Sequence, residues 1–273
     1  MLVINKRSKR MSAASALAAA EARLPVDMIE VRPGRTLAVH RRMNDRVNDT
    51  ALFVHGSCAS LVQWEAQMCH LQASHSIIAC DMCGCGRSPK PRGQWDAYST
   101  PALLHDIAEL ARRFGGAGRL VLFGHSAGAG FVLQLLASEA AGTSLPATHV
   151  SAVLISAIDA VPASLAIFRL PVCVLELLQP LLSASFTEAA LHPDTRAARC
   201  DEHRELLLLC DAINASNPMH MCKSYYRQLR VASPAQLACV SAPVLLIAGE
   251  ADGLAGRRIS SIEHMLCSAE HVN

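Results

Sequence analysis

The chain has 273 residues, of which 51% are apolar, 18% charged and 4% aromatic, the make-up of one large folded domain or a domain with an insertion and not of a disordered chain. Lysine and arginine number 25 against 23 acids, a balance of +2 that leaves no electrostatic footprint for nucleic acid and no strongly acidic surface. The most apolar region, residues 164–186, is broken by Arg169, Pro171, Glu176 and Pro180, short of the roughly 18–20 uninterrupted apolar residues that a membrane span needs, so no transmembrane segment is expected.

In chain order, residues 1–24 form a compositional block of their own: Lys6, Arg7, Lys9 and Arg10, then an alanine- and serine-rich run with Glu21 as its only acid. Such a basic, acid-poor start has the composition of a mitochondrial transit peptide, and an ordinary tail is the other reading. From residue 26 onward, short β-branched or apolar runs alternate with helical patterns, which predicts a mainly parallel sheet covered by helices on both faces. Strands are expected at Val26–Val31, Thr36–Arg41, Ala51–Val54, Ser76–Cys80, Leu120–Phe123, Val150–Ser156 and Val244–Ala248, the first two joined as a hairpin across Arg32-Pro-Gly-Arg35. Thr100 and Pro101 read as the N-cap and first residue of a helix that sets Leu103, Ile107, Leu110 and Phe114 on one face. Residues 157–241 hold no convincing strand and much Leu, Ala and Met at helical spacing. They are far longer than the usual 2–6-residue connection, and are expected to form a helical cap inserted into a core of residues 25–156 and 242–273.

The 11 cysteines are odd in number and lack the spacing of a secreted disulfide framework, so a reducing compartment, the cytoplasm, is the simpler location. Cys80, Cys83 and Cys85 form C-x-x-C-x-C, but no second cluster completes four zinc ligands. Buried thiols acting as small hydrophobes are the favoured reading, and no metal is expected.

Gly124-His125-Ser126-Ala127-Gly128 stands directly after the Leu120–Phe123 strand and before a helical run. This is G-x-S-x-G in the strand, turn, helix setting of a nucleophile elbow, a turn too tight for side chains two residues either side of the serine. Ser126 would project its hydroxyl at the strand end, above the positive N-terminus of the next helix. His55-Gly56-Ser57-Cys58 follows the third strand, Asp81-Met-Cys-Gly84-Cys-Gly86-Arg87-Ser88 the fourth, and Pro243-Val-Leu-Leu-Ile-Ala-Gly249-Glu-Ala-Asp252 spans the seventh. Gly84-x-Gly86 is no dinucleotide fingerprint, because no third glycine follows at G-x-G-x-x-G spacing.

With these four motifs in this order, the sequence over about residues 26–273 resembles the abhydrolase group of the α/β-hydrolase superfamily. The resemblance implies eight strands and a serine, acid, histidine triad. It makes Ser126 the nucleophile and Asp252 the acid, with Asp159 after the sixth strand as the alternative acid. It gives one oxyanion donor to the backbone N–H of Ser57 or Cys58 and the other to that of Ala127. His55 and the Asp81 loop are then scaffold, and His125 packs in the elbow. The base should follow the last strand. Residues 257–267 read as a helix and residues 268–273 as the approach to an eighth strand, which sets His271 a strand length, roughly 15–20 Å, from the elbow; the chain reads as C-terminally short of the family pattern, and the alternative is that a shortened connection lets His271 reach Ser126 as the candidate base. His264 falls within that helix. A short C-terminus is expected to leave the seventh strand as an unpaired edge.

These readings describe a serine hydrolase cleaving carboxylic esters, lipid-like ones included, through an acyl-enzyme on Ser126 and without a cofactor. The alternative is a binding protein of the same fold that lacks a working base.

Overall fold

The computed structural model describes residues 12–140, 145, 149–250, 252 and 259–267. Seven strands, β1 (Asp27–Arg32), β2 (Arg35–Arg42), β3 (Thr50–Val54), β4 (Ser76–Asp81), β5 (Arg119–His125), β6 (His149–Ile155) and β7 (Val244–Ile247), form one sheet in the order β1-β2-β4-β3-β5-β6-β7. β1 and β2 are the expected antiparallel hairpin, β2 also runs antiparallel to β4, and every other pairing is parallel. The eighth strand implied by the resemblance falls on residues 268–273, outside the described residues.

Strands β3 and β4 are buried along their whole length, as continuous apolar runs in a two-sided parallel sheet should be. On one face Leu52, Val54, Ile78, Cys80, Leu122 and Leu154 pack against α3 (Thr100–Phe114) and α4 (Ala127–Ala140). On the other, Ala51, Phe53, Ile77 and Ala79 meet Leu61, Trp64 and Met68, from a 3₁₀ turn (Leu61–Trp64) and α2 (Glu65–Leu71). Among the described residues β7 pairs only with β6, and its Leu245 and Ile247 are exposed.

Residues 13–23 are not a tail. They form α1 (Ala13–Arg23), whose Ala20, with Leu24 just beyond it, packs into the second cluster beside Phe53 and Trp64. Small alanines recurring on one face let the helix approach closely. Arg23 pairs with Glu65 of α2, and the Arg87 guanidinium donates to the terminal carbonyls of Glu21 (3.3 Å) and Leu24 (2.8 Å). Composition alone missed this because a weakly hydrophobic alanine face becomes a core face only through what it meets.

The N-cap of α3 also moves. Ser99, with extended backbone, caps Ala102 N–H. The Thr100 hydroxyl instead donates to Gln228 O and accepts from Arg230 N–H, both at 3.0 Å, so a tertiary contact takes the side chain that the sequence assigned to capping.

Between β6 and β7 lie a 3₁₀ turn (Ala163–Arg169), α5 (Val172–Ala190), α6 (Pro193–Arg196), α7 (Asp201–Ala215), α8 (Met219–Gln228) and α9 (Pro234–Leu237). α7 rests on α1, and Ile213 joins the same cluster as Ala20 and Leu24. α5 is long and apolar enough to cross a membrane by length and composition alone, against the expectation above. Arg169 and Pro171 lie ahead of its first residue; Glu176 and Pro180 lie within it, and Leu177 and Leu181 are exposed. α10 (Ile259–Cys267) follows β7 and buries Ile262 in the first cluster.

Leu24 is 5% exposed and fills space above Phe53 and Trp64. Leu24→Ala is expected to lower unfolding free energy by about 2–3 kcal/mol in urea denaturation. A loss within experimental error would show that α1 contributes little to the core.

Candidate functional site

The sheet order reverses beside β3: the chain passes from β3 to β4 on one side and then to β5 on the other. At such a switch point the loops leaving the two adjacent parallel strands diverge and open a crevice at their C-terminal ends. Val54 pairs with Gly124, so the His55–Cys58 segment and the Ser126 turn leave the sheet side by side.

Ser126 has φ +52°, a left-handed backbone that a residue with a Cβ adopts only under constraint. Its N–H donates to Ile155 O of β6 at 2.9 Å, and its carbonyl accepts from Gly130 N–H at 3.2 Å in the first turn of α4. The turn is closed by contacts that admit no side chain. A Cβ on Gly124 would stand 2.6 Å from Ala129 Cα, and one on Gly128 would strike the carbonyl oxygens of Val54 and His55. The sequence reading of a tight strand, turn, helix elbow thus has a specific steric cause. Ala127 opens α4 and is 1% exposed.

The segment after β3 is braced from below. His55 is fully buried; its Nδ1 donates to Gly56 O (2.7 Å) and its Nε2 accepts from Met82 N–H (2.9 Å), so both ring nitrogens are engaged in holding the loops after β3 and β4. Burial pushes its pKa down, opposed by the charge of Asp81. Asp81, also fully buried, accepts through Oδ1 from Ser60 Oγ (2.9 Å) and Leu61 N–H (2.7 Å), and through Oδ2 from Arg87 N–H (2.9 Å). Cys80, Cys83 and Cys85 are buried in the first cluster; desolvation raises all three thiols, Cys83 to about 11, and among the described residues no three ligating side chains cluster in a way that could hold a metal.

From above, the same segment meets residues that the sequence gave no reason to place there. Asn217 Nδ2 donates to Cys58 O at 2.6 Å, Tyr225 Oη reaches Ser57 Oγ at 3.5 Å, and the sulfurs of Cys58 and Cys222 lie 3.9 Å apart. Cys58 itself has φ +51°, and Ala59 N–H closes the turn onto Gly56 O at 3.2 Å. Asn217, Cys222 and Tyr225 lie about 160 residues downstream in a helical stretch without a motif, so only the fold reveals them.

His125 packs in the elbow, its ring edge-on to Trp64 at 6.5 Å. Its Nδ1 is enclosed with no hydrogen-bond partner among the described residues, close enough to Gly56 that a Cβ there would come within 2.8 Å. Burial lowers its pKa, against which the charge of Asp252 acts. Asp252 follows β7, which runs parallel to β6, and so lies, half-buried, at the same end of the sheet as the elbow, in a turn closed by its N–H onto Gly249 O at 3.1 Å. Asp159 follows β6 and is also half-buried. His264 is exposed on α10, and His271 lies outside the described residues.

The chain belongs to the α/β hydrolase fold family, whose model matches residues 51–262. It is 28% identical over 193 residues to human Protein ABHD8, a match covering 68% of this chain and 42% of that protein, so the chain spans less than half the length of the curated relatives it matches. Among solved structures it is similar to a hydrolase from Pseudomonas aeruginosa PA01 (TM-score 0.69, 19% identity, 89% of this chain and 86% of that one). It is likewise similar to the esterase EaEST from Exiguobacterium antarcticum (TM-score 0.67, 17% identity, 89% and 87%). At these identities the two structures speak for the fold.

Two buried imidazoles make stability depend on pH. Unfolded, His55 and His125 take a proton near the ordinary value of 6.5; folded, burial keeps both neutral to lower pH. Below about pH 6.5 the unfolded chain therefore binds more protons, and stability falls as pH falls, by up to about 1.4 kcal/mol per pH unit for each histidine. His55→Gln is expected to flatten the slope measured between about pH 5 and 6.5; an unchanged slope would mean that His55 is not held neutral.

Proposed function

We propose that the chain is a serine hydrolase that cleaves carboxylic esters through an acyl-enzyme on Ser126. The observation that carries the reading is the left-handed Ser126 backbone, held between Gly124 and Gly128 at the start of α4. A strained turn persists only where its surroundings enforce it, and here they present a serine at the switch point of the sheet, the usual place for a ligand crevice.

In this reading Ser126 Oγ attacks the acyl carbon while the imidazole of His271 takes its proton. Asp252 orients that imidazole and stabilises its charged form. The oxygen that becomes negative is met by the backbone N–H of Ala127 and by that of Ser57 or Cys58; each such donor is worth on the order of 10²–10³ in rate. The protonated imidazole then gives its proton to the departing alcohol, and water, activated by the same base, releases the acid. His271 takes this role through a connection after Asp252 shorter than the family pattern, one that carries it back to Ser126. The helical residues 157–241 act as a cap, and their Leu-rich faces suit an apolar, lipid-like acyl group. Neither a metal nor an organic cofactor enters the reaction.

The test is labelling of the folded chain with a fluorophosphonate probe, with circular dichroism as the control for fold. Labelling is expected in the parent chain, absent in Ser126→Ala, and reduced by about 10²–10⁴ in Asp252→Ala and His271→Ala. A folded parent chain that stays unlabelled and hydrolyses no p-nitrophenyl ester would make it a binding protein that keeps the elbow without a working base.

A further inference from the structure

Cys58 and Cys222 lie far apart in sequence and meet in space. Cys58 sits in the turn after β3 and Cys222 on α8, with their Sγ atoms 3.9 Å apart and their side chains 6% and 4% exposed. Both backbones are already pinned at this contact: Cys58 O accepts from Asn217 Nδ2 at 2.6 Å, just ahead of α8, and Tyr225, one turn beyond Cys222, reaches Ser57. A disulfide requires sulfurs about 2.05 Å apart, so closing the pair takes a shift of about 2 Å, within the reach of side-chain rotation at two short residues.

The two thiols are not equivalent. The hydrogen bond from Cys222 lowers the pKa of Cys58, outweighing the effect of burial, and a hydrogen bond from the Tyr226 hydroxyl acts in the same direction; Cys222 is pushed up by its bond to Cys58 and by burial. A thiolate is what attacks an oxidant, and the step is assigned to Cys58, the sulfur whose pKa is lowered.

We propose that Cys58 and Cys222 form a reversible disulfide, a redox modification site that staples α8 to the loop after β3. The oxidant is of the hydroperoxide class. The Cys58 thiolate attacks one peroxide oxygen, the O–O bond breaks, and Cys58 becomes a sulfenic acid as water leaves, or an alcohol where the peroxide is organic. Cys222 sulfur then attacks the sulfenic sulfur, the S–O bond breaks, and the S–S bond forms with loss of a second water. Two electrons pass from the sulfurs to the peroxide, and the two thiol protons end in the released products. The linkage itself does not depend on the hydrolase reading. Its consequence for reactivity does, because drawing Cys58 toward α8 moves the N–H groups of Ser57 and Cys58.

The experiment treats the folded chain with hydrogen peroxide, blocks remaining thiols with iodoacetamide and maps disulfide-linked peptides by mass spectrometry without reduction. A peptide pair joining Cys58 to Cys222 is expected, about 2 Da lighter than the two thiol peptides together, reversed by dithiothreitol, retained in Cys85→Ser and absent in Cys222→Ser. Absence of the pair from the treated folded chain, a Cys58–Cys85 link in its place, or an equal yield from chain oxidised in urea would each overturn the proposal. Fluorophosphonate labelling is read in parallel. Labelling of the reduced chain that falls at least tenfold on oxidation and returns with dithiothreitol, while Cys222→Ser stays labelled, is the expected outcome. If the disulfide forms and the reduced chain never labels, the hydrolase reading fails and the redox site stands.

Discussion

A single buried carboxylate, that of Asp81, joins the three segments that converge beneath the elbow. Leaving a carboxylate without partners in a fully enclosed position would cost several kcal/mol. Asp81 is instead met by Ser60 Oγ and Leu61 N–H from the segment after β3, and by Arg87 N–H from its own loop. The Arg87 side chain lies 3.5 Å from the same carboxylate and extends to the carbonyls that end α1, so the requirement to satisfy one charge fixes the loops after β3 and β4 and the docking of the N-terminal helix together. Ser88 completes the arrangement: its hydroxyl donates to Asp81 O and accepts from Ala38 N–H of β2, which holds the antiparallel edge to the same point.

On that platform the elbow stands as a strained feature paid for by its neighbours. A left-handed, non-glycine backbone costs on the order of 1–3 kcal/mol. The cost is offset where Ser126 N–H bonds to β6 and Ser126 O begins the hydrogen-bond ladder of α4, and where the missing side chains of Gly124 and Gly128 let β3, β5 and α4 pack at contact distance. Relaxing the turn would forfeit all of these contacts together. This is the physical reason a serine can be held rigidly at the C-terminal end of β5.

What the sequence made legible follows from how local each signal is. The strands were readable because continuous apolar runs such as Leu52–Val54 and Ile77–Cys80 suit only a sheet buried on both faces, and each observed strand lies within two residues of its expected bounds. The elbow was readable because its steric requirement acts over five residues. Non-local partners left no such trace. The Thr100 hydroxyl was assigned to a cap but serves Gln228 and Arg230, more than a hundred residues away, and the alanine-rich face of α1 acquires its meaning only from Phe53 and Trp64. Asn217 and Tyr225 lie in a helical stretch whose periodicity announces a helix and says nothing of which loop it will touch.

Those last contacts bear on how the loop after β3 is held. The segment Gly56–Cys58 is held on one side by His55, whose two ring nitrogens span Gly56 O and Met82 N–H, and on the other by Asn217 and Tyr225. The lower anchor belongs to the rigid sheet; the upper one belongs to helices that follow β6. Backbone N–H groups stabilise a developing charge well only when their direction is fixed before the charge appears. In the proposed hydrolase reading, a loop clamped from both sides meets that condition, and one released from above would keep its place in the chain but lose its aim. The helices after β6 therefore do more than connect two strands: through Asn217 Nδ2, which donates to Cys58 O, and the hydroxyl of Tyr225 at Ser57, their seating and the geometry of the loop after β3 are one equilibrium, and anything that shifts α8 acts on both.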